Sequence, residues 1–349
     1  MLKNLIVLLL ACSTFGQQVA IDGVGGIELT TGRHVVVVLL DDVGVDKVAA
    51  YGEHPTAGPT PTIDAMAAEG VLFRAAYSDP VCSPTRCGAL TGRYGSRTGI
   101  GISVPVGEAA TSGNGSFMPA VDLPWLPGLL SNAGVRCDAI GKWHLSHELS
   151  PQYQQHPVLV AGFRRYAGCL GNLNQAPGST DYYNWLRTVS SVTGYTEAPQ
   201  TAYATDVAMF DLWTSLVAAG SQRSFHWAAL NAAHKPWDEP PGYGQLPNGP
   251  PKQEAVLAYA DGLLGQLRAA YQSLYPAEYA ETTWIVVGDN GTPLLAVEAP
   301  WPSTQHKDTV YEGGVRVPLI ACRAGVGQGE VTAPVNTVDM WATVLDLFG

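Results

Sequence analysis

Five short apolar runs most strongly constrain what this chain can fold into. The first, residues 33–40, is rich in valine and leucine and ends directly in Asp41 and Asp42. The others cover residues 135–140, 225–230, 283–287 and 316–321. The runs are largely continuous rather than alternating between apolar and polar residues. That pattern is typical of strands buried on both faces of a parallel sheet.

Helical patterns lie between these runs. Residues 62–69 combine good helix formers with a stop at Gly70, and residues 205–219 and 255–274 form two longer helical patterns. Strands that alternate with helices predict an α/β fold, in which helices cover both faces of a mostly parallel central sheet.

The composition agrees with one folded domain. Hydrophobic residues make up 46% of the chain and charged residues 14%, so the chain can bury a sizeable core. We predict one domain over residues 33–349, interrupted by two loops rich in proline and glycine, 103–127 and 236–251. The formal net charge of -11 argues against a nucleic-acid binder, although a local cationic pocket for a small anion remains compatible with it.

The first 16 residues have the pattern of an export signal. Lys3 precedes a short apolar run, 5–11, which is much shorter than the ~20 residues that span a bilayer. The residues before Cys12 also resemble a bacterial lipobox, in which Cys12 would carry a lipid anchor. Cleavage after Gly16 would instead release a soluble exported protein, and a buried first strand is the third interpretation. Both export interpretations predict a periplasmic, lipid-anchored or secreted protein.

Oxygen-bearing side chains follow two of the apolar runs. Asp41 and Asp42 follow the first run, and Asp289 and Asn290 follow the run 283–287. Because ligands bind outside the carboxyl ends of strands in open parallel sheets, we expect these side chains at one edge. Their oxygens favour calcium or magnesium over zinc. Taken singly, the first pair would fit a helix N-cap, and the second would fit a turn that is also a formal glycosylation sequon, 290–292.

Basic side chains follow two other runs. Lys142 and His144 lie two residues apart, so on an extended segment they would point the same way. His234 follows the run 225–230, and Lys307 lies in a later loop. Taken singly, His234 would be an ordinary hydrogen-bonding residue and Lys307 a solvated cation, but together the four predict an anion-binding pocket.

The segment Cys82-Ser83-Pro84-Thr85-Arg86 is the most specific motif. With the Leu-Thr-Gly-Arg segment that ends at residue 93, it resembles the signature of the sulfatase family, Cys-x-Pro-x-Arg followed by Leu-Thr-Gly-Arg. Further segments resemble that family in the same order along the chain: 41–44, 60–64, 141–145, 231–234, 288–291 and 311–318.

The resemblance implies an alkaline phosphatase-like fold and a formylglycine at position 82, made from Cys82 by a separate maturation enzyme. One hydroxyl of the hydrated aldehyde would attack the sulfur of a sulfate monoester, and the other would let the sulfate leave. The resemblance also implies calcium, with magnesium the weaker alternative. The implied ligands are Asp41, Asp42, Asp289, Asn290 and the formylglycine at position 82.

The same resemblance implies a role for each basic residue. Arg86 would hold the diol and the metal-bound oxygens, although a structural ion pair is the alternative. Lys142 would neutralise the sulfate, and His144 would accept the proton of the second hydroxyl. His234 and Lys307 would face the leaving oxygen.

Two features depart from the family pattern. Ala233 stands where the family usually has a proline, which changes local stiffness but not the chemistry. The helical pattern 338–347 resembles the one that closes the main domain, and Gly349 follows it where the family commonly continues into a small subdomain. We therefore expect that subdomain to be absent and one side of the pocket to be open.

Three functions remain open. The first is hydrolysis of a sulfate monoester on a small molecule or glycan, and the second is hydrolysis of a phosphonate or phosphate ester. The third is an inactive relative that binds sulfated glycans. The aromatic residues Tyr182, Tyr183 and Trp185 are candidates for the wall of a substrate groove. No pattern supports a role for His147, His156 or His226, and His306 is notable only as the neighbour of Lys307.

The six cysteines predict no zinc site, because their spacing matches no zinc motif. Setting Cys12 and Cys82 aside, Cys87, Cys137, Cys169 and Cys322 could pair in three ways in an oxidising compartment.

Overall fold

The computed structural model describes residues 33–55, 57–104, 123–145, 156–176, 178–323 and 327–349. The predicted export signal 1–16 with Cys12, His147 and residues 105–122 of the predicted loop 103–127 lie outside these ranges. Within the described ranges, no helix is long and apolar enough to cross a membrane.

Strands and helices alternate along most of the chain. The strands are β1 (His34–Leu40), β2 (Val71–Phe73), β3 (Ala76–Tyr77), β4 (Arg136–Lys142), β5 (Arg165–Cys169), β6 (Trp185–Ser191), β7 (Gly194–Gln200), β8 (Ser224–Ala229), β9 (Thr282–Gly288), β10 (Leu319–Cys322), β11 (Gly329–Val331) and β12 (Val335–Asn336). The helices are α1 (Pro61–Glu69), α2 (Cys82–Thr91), α3 (Gly95–Thr98), α4 (Leu126–Asn132), α5 (Pro157–Val160), α6 (Ala204–Ala219), α7 (Pro250–Leu274), α8 (Pro276–Ala280), α9 (Glu312–Val315) and α10 (Met340–Phe348).

Ten of the described strands form one sheet, in the order β11-β2-β10-β9-β1-β8-β4-β5-β6-β7. The five central strands, from β9 to β5, pair in parallel. β10 runs antiparallel to β9, and β6 and β7 continue the other side as antiparallel strands. The predicted α/β fold with a mostly parallel central sheet is therefore confirmed, while the outer strands are mixed in direction.

β1 lies at the centre because both of its faces are apolar. All seven of its residues are buried. Val35, Val37 and Leu39 pack into the core on one side of the sheet, and Val36 and Val38 pack into the core on the other. Successive side chains of a strand point to opposite faces, so a continuous valine run fills two cores at once.

The predicted helices form, with one boundary shifted. α1 and α6 match the predicted patterns to within one residue at each end. α7 begins at Pro250, five residues before the predicted start, so the loop predicted to reach residue 251 ends at Gly249. Proline suits the first turn of a helix, because the amide hydrogen that it lacks would have no partner there.

The parallel strands end at one edge of the sheet, close to the polar residues of interest. Gly141 in β4 has φ +84°, and a Cβ at this position would lie 2.0 Å from the Ala229 carbonyl oxygen. Only glycine lets β4 approach β8 this closely just before Lys142. The predicted extended segment 142–144 is wrong in part: β4 ends at Lys142, and His144 has φ 57°.

The described cysteines are buried and form no disulfides with one another. None of the three predicted pairings of Cys87, Cys137, Cys169 and Cys322 is therefore present.

A chain of buried polar side chains crosses the sheet toward the amino ends of the strands. His34 Nδ1 lies 2.7 Å from Ser224 Oγ, which lies 2.7 Å from His226 Nε2. His226 Nδ1 lies 3.0 Å from Ser215 Oγ, which donates to Asp138 Oδ2 at 2.6 Å. Burial lowers the pKa of His226 from 6.5 to about 3, despite the opposing charge of Asp138.

The low pKa of His226 predicts a loss of stability in acid. The imidazole is neutral in the folded protein and takes up a proton near pH 6.5 once unfolded, so its contribution is present above pH 6.5 and is lost below it. Between pH 7 and pH 5 this group alone should lower the free energy of unfolding by about 2 kcal/mol. Urea denaturation should show that His226→Gln has a shallower decrease over this range than the parent.

The matched control is Val37→Ala, which removes buried apolar volume from the same sheet. It should lower stability at both pH values by similar amounts. If the free energy of unfolding falls equally in His226→Gln and in the parent between pH 7 and pH 5, the low pKa of His226 is not the cause of the acid-dependent loss.

Candidate functional site

Asp41 and Asp42 follow β1 directly and are both buried. Asp42 has φ 62°, a conformation that turns the chain sharply at the end of the strand. Its amide donates to Asp289 Oδ1 at 3.1 Å, and its carbonyl oxygen accepts from Gln253 Nε2 at 2.7 Å. These contacts tie the first carboxylate pair to the end of β9 and to α7.

Asp289 and Asn290 follow β9 and are also fully buried. Asn290 Nδ2 donates to Asp42 Oδ1 at 2.8 Å, so the two predicted ligand pairs do meet. Burial of Asn290 and Thr292 hides the formal glycosylation sequon from any modifying enzyme acting on the folded protein.

Helix α2 presents Cys82 and Arg86 on one face, because residues four apart lie one turn from each other. Arg86 Nη2 lies 2.8 Å from Asp289 Oδ2 and 3.3 Å from Asp41 Oδ2, and Nη1 donates to the Lys142 carbonyl oxygen at 2.7 Å. Burial opposes the charge of Arg86, but Asp289 and Asp41 raise its pKa above the ordinary value.

Cys82 begins α2, where the helix dipole favours negative charge. Its Sγ lies 3.0 Å from His144 Nδ1 and 3.8 Å from Ser103 Oγ. Burial lowers the pKa of His144 well below its usual value, and the nearby Lys142 and Arg86 lower it further. A neutral imidazole therefore faces the side chain at position 82.

Two lysines approach the first carboxylate pair. Lys142 Nζ lies 2.6 Å from Asp41 Oδ2, and Lys307 Nζ lies 2.6 Å from Asp42 Oδ1. Burial would raise the pKa of Asp41, but Lys142 and the other nearby cations hold it well below its usual range. Burial would likewise lower the pKa of Lys307, but Asp42 raises it above the ordinary value.

His234 reaches the same carboxylates from the loop after β8. Its Nε2 lies 3.9 Å from Asp42 Oδ2. The hydroxyl of Tyr182 holds this loop, because it bonds to the carbonyl oxygens of Asn231 at 2.6 Å and His234 at 3.0 Å. Burial and the charge of Lys142 lower the pKa of His234 to about 4.

The donor set fits a hard divalent cation. Asp41 Oδ1 and Asn290 Oδ1 are buried without a hydrogen-bond partner among the described residues. Asp41, Asp42 and His234 each offer a ligand atom, and these atoms all lie within 4.8 Å of one another. Carboxylate and amide oxygens are the donors that calcium and magnesium prefer. His234, which was predicted to face the leaving oxygen, lies close to both carboxylates.

The structure brings every predicted site residue into one cluster: Asp41, Asp42, Cys82, Arg86, Lys142, His144, His234, Asp289, Asn290 and Lys307. His226 belongs to the separate buried chain toward the amino ends of the strands. The suggestion that Tyr182 lines a substrate groove is wrong, since this residue is fully buried beneath the His234 loop. Sequence reasoning missed Gln253, because the helix that carries it was predicted to begin at residue 255, two residues after Gln253.

Comparison with known proteins settles which family has this arrangement. A family model described as Sulfatase matches residues 33–349. The chain belongs to the sulfatase family. The resemblance carried by the Cys82 signature is therefore confirmed over the whole predicted domain.

Similar proteins agree with this membership. N-acetylgalactosamine-6-sulfatase of Homo sapiens is 28% identical over 352 residues, which cover 94% of this chain and 64% of that relative. This sulfatase-family chain thus spans less than two thirds of the relative's length.

Solved structures confirm the fold. PsFucS1 sulfatase from Pseudoalteromonas sp. has a TM-score of 0.76 at 23% identity, covering 91% of this chain and 68% of that one. A protein of the alkaline phosphatase superfamily from Vibrio parahaemolyticus has a TM-score of 0.60 at 15% identity, covering 92% and 67%. The predicted alkaline phosphatase-like fold is confirmed by these likenesses.

Removal of the buried arginine should strongly destabilise the protein. Arg86→Met would leave Asp41 and Asp289 buried without this cation, which costs about 3–5 kcal/mol in comparable cases. Guanidinium denaturation should show a loss of that size. The control Arg33→Met removes an exposed ion pair with Glu281 and should cost less than about 1 kcal/mol. Equal losses in the two variants would contradict the structural role given to Arg86.

Proposed function

We propose that this chain hydrolyses a sulfate monoester, with Cys82 converted to formylglycine and a calcium ion bound beside it. The observation that carries the proposal is the surroundings of Cys82. Its Sγ begins α2 and lies 3.0 Å from His144 Nδ1. The same site holds Arg86, Lys142 and Lys307 against three buried carboxylates.

The charge balance supports a cation and an anionic substrate. Three cationic side chains, Arg86, Lys142 and Lys307, face the three carboxylates of Asp41, Asp42 and Asp289. These charges cancel, so the protein groups alone give a sulfate ester no net attraction. When bound, a divalent cation supplies the missing positive charge and polarises a sulfate oxygen. Asp41, Asp42, Asp289 and Asn290 would hold it, together with the modified residue 82.

The side chains around position 82 have separate roles in the proposed reaction. A formylglycine at position 82 would supply a hydrated aldehyde, with one hydroxyl for attack on sulfur and a second for release of the sulfate. His144 Nδ1 is near enough to position 82 to accept a proton from a hydroxyl there. Arg86 bonds to the Lys142 carbonyl oxygen and to Asp289, so it aligns β4 and β9 beside that residue.

Lys142 neutralises the sulfate oxygens as charge builds up in the transition state. Lys307 and His234 both approach Asp42, and we assign them to the leaving oxygen. Lys307 stabilises negative charge there, and His234 is placed to deliver a proton to it.

The substrate we propose is a sulfated sugar, or a small aryl sulfate that mimics it. The human relative is named for the 6-sulfate of N-acetylgalactosamine, which supports a sulfated sugar for this chain. The apolar run near the N-terminus supports export of the protein, either as a soluble enzyme or through a lipid on Cys12. A formylglycine-generating enzyme is the maturation partner that the proposal requires.

Coexpression with a formylglycine-generating enzyme tests the nucleophile. We expect the tryptic peptide that contains position 82 to have the mass of the aldehyde, and the protein to hydrolyse p-nitrophenyl sulfate. Cys82→Ala should abolish turnover, since no other side chain supplies the diol. The matched control Cys87→Ala, five residues along the same helix, should keep the aldehyde and most of the activity.

The outcomes of this experiment separate the open functions. Aldehyde with turnover of phosphonate or phosphate esters alone would favour the phosphorus chemistry. Aldehyde with binding of sulfated sugars but no turnover of any ester would favour the inactive relative. An unmodified cysteine beside a competent maturation enzyme would overturn the proposed nucleophile.

Calcium should stabilise the protein measurably. At a concentration 100 times the dissociation constant, a ligand that binds only the folded state adds about 2.7 kcal/mol. Differential scanning fluorimetry should show a calcium-dependent rise in Tm, and calorimetry should show affinity at least roughly tenfold lower in Asp42→Asn. Asp211→Asn, a buried carboxylate paired with Arg187 outside the site, should keep the parent affinity. No calcium-dependent shift in the parent would contradict the assigned metal.

A further inference from the structure

Ser83 occupies a buried position between two segments that line the site. It is the second residue of α2, and its side chain is fully buried. Its hydroxyl donates to the His144 carbonyl oxygen at 2.8 Å and accepts from the Val104 amide at 3.0 Å. Both bonds leave the helix, so the hydroxyl joins α2 to the segment after β4 and to the main chain at Val104.

The hydroxyl of Ser83 is used differently from another hydroxyl of the same helix. Thr91 Oγ1 donates to the Cys87 carbonyl oxygen at 2.7 Å, which is a bond within α2. Serine and threonine in helices often bond to the carbonyl four residues earlier in this way. Ser83 instead bonds to two main-chain groups that lie far along the chain from each other.

His144 needs such support because its backbone is unfavourable. Its φ of 57° places a residue other than glycine in the left-handed region. Such conformations persist where the surrounding structure holds them, and they are concentrated at functional sites. The His144 amide donates to the Leu170 carbonyl oxygen at 2.8 Å, and Ser83 holds the carbonyl group of the same residue.

These bonds affect which polar side chains lie close to position 82. With both main-chain groups held, the His144 ring places Nδ1 3.0 Å from Cys82 Sγ. The second bond of Ser83, to Val104, holds the residue after Ser103, whose Oγ lies 3.8 Å from the same sulfur. One buried hydroxyl therefore sets the distance of two polar side chains from the nucleophile position.

We propose that Ser83 is a positioning residue, which holds His144 and Ser103 against residue 82 during turnover. This inference rests on the proposed sulfatase function. Among the described residues, the Ser83 hydroxyl bonds to the His144 carbonyl oxygen and the Val104 amide, and not to the side chains of Asp41, Asp42, Asp289 or Asn290. Its loss should therefore lower kcat and leave KM nearly unchanged, because ground-state binding of the sulfate depends on other side chains.

The test compares Ser83→Ala with Ser83→Thr in protein coexpressed with the maturation enzyme. The fraction of aldehyde at position 82 is measured by mass for each variant, and kcat is normalised to it. We expect Ser83→Ala to lose roughly 10- to 100-fold in kcat with KM within about twofold, since small misplacements of catalytic groups have effects of this size. Ser83→Thr keeps a hydroxyl and should recover most of kcat.

Ser215→Ala is the matched control. It removes another buried serine hydroxyl, which bonds to Asp138 and His226 toward the opposite edge of the sheet. It should lower thermal stability and leave kcat within about twofold of the parent. If Ser83→Ala fails to fold, Ser83→Gly replaces it, because glycine also lacks the hydroxyl and fits the first turn of a helix.

The outcomes distinguish this inference from the function on which it rests. If the parent carries the aldehyde and hydrolyses no sulfate ester, the proposed function fails. If the parent is active, two results would overturn the role of Ser83. One is a folded Ser83→Ala or Ser83→Gly with parental kcat, and the other is a folded Ser83→Thr that is no more active than either.

Discussion

The buried contact between Arg86 and two carboxylates is the interaction on which the rest of the site depends. Arg86 joins α2 to Asp289 after β9, to Asp41 after β1 and to the last carbonyl of β4. A guanidinium group can make these contacts at once, because its donors are spread around a rigid plane. Desolvating it is costly, and the surrounding carboxylates offset that cost only when all of these elements are in place.

The same contact explains why the site is balanced in charge. The carboxylates that would hold a cation are the ones that neutralise Arg86, Lys142 and Lys307. In a buried site such a balance keeps the folded protein stable, while a bound dication would leave an excess of positive charge for an anion. Stability and the proposed attraction for sulfate therefore depend on one set of ion pairs.

Much of the fold and site could be predicted from the chain alone. The valine run of β1 predicted a strand buried on both faces, and all seven residues are buried. The outer hairpin of β6 and β7 was not predicted, because an exposed strand such as β7 lacks a strong apolar pattern. The start of α7 was placed too late, because its first turn is proline and polar residues rather than apolar ones.

Sequence by itself determined the chemical inventory: a cysteine motif, oxygen donors after two strands and basic residues after others. It also determined four of the five parallel central strands and the longer helices, because apolar periodicity is a local property of the chain. Only the tertiary structure decided that Ser83 reaches His144, that Gln253 holds Asp42, and that His234 lies among the carboxylates. Those contacts join residues separated by 61 and 211 positions in the first two cases, and no local pattern encodes them. The contacts arise because the parallel strands end at one edge of the sheet. Polar groups buried there are shielded from water, so most of them form hydrogen bonds with residues of other elements.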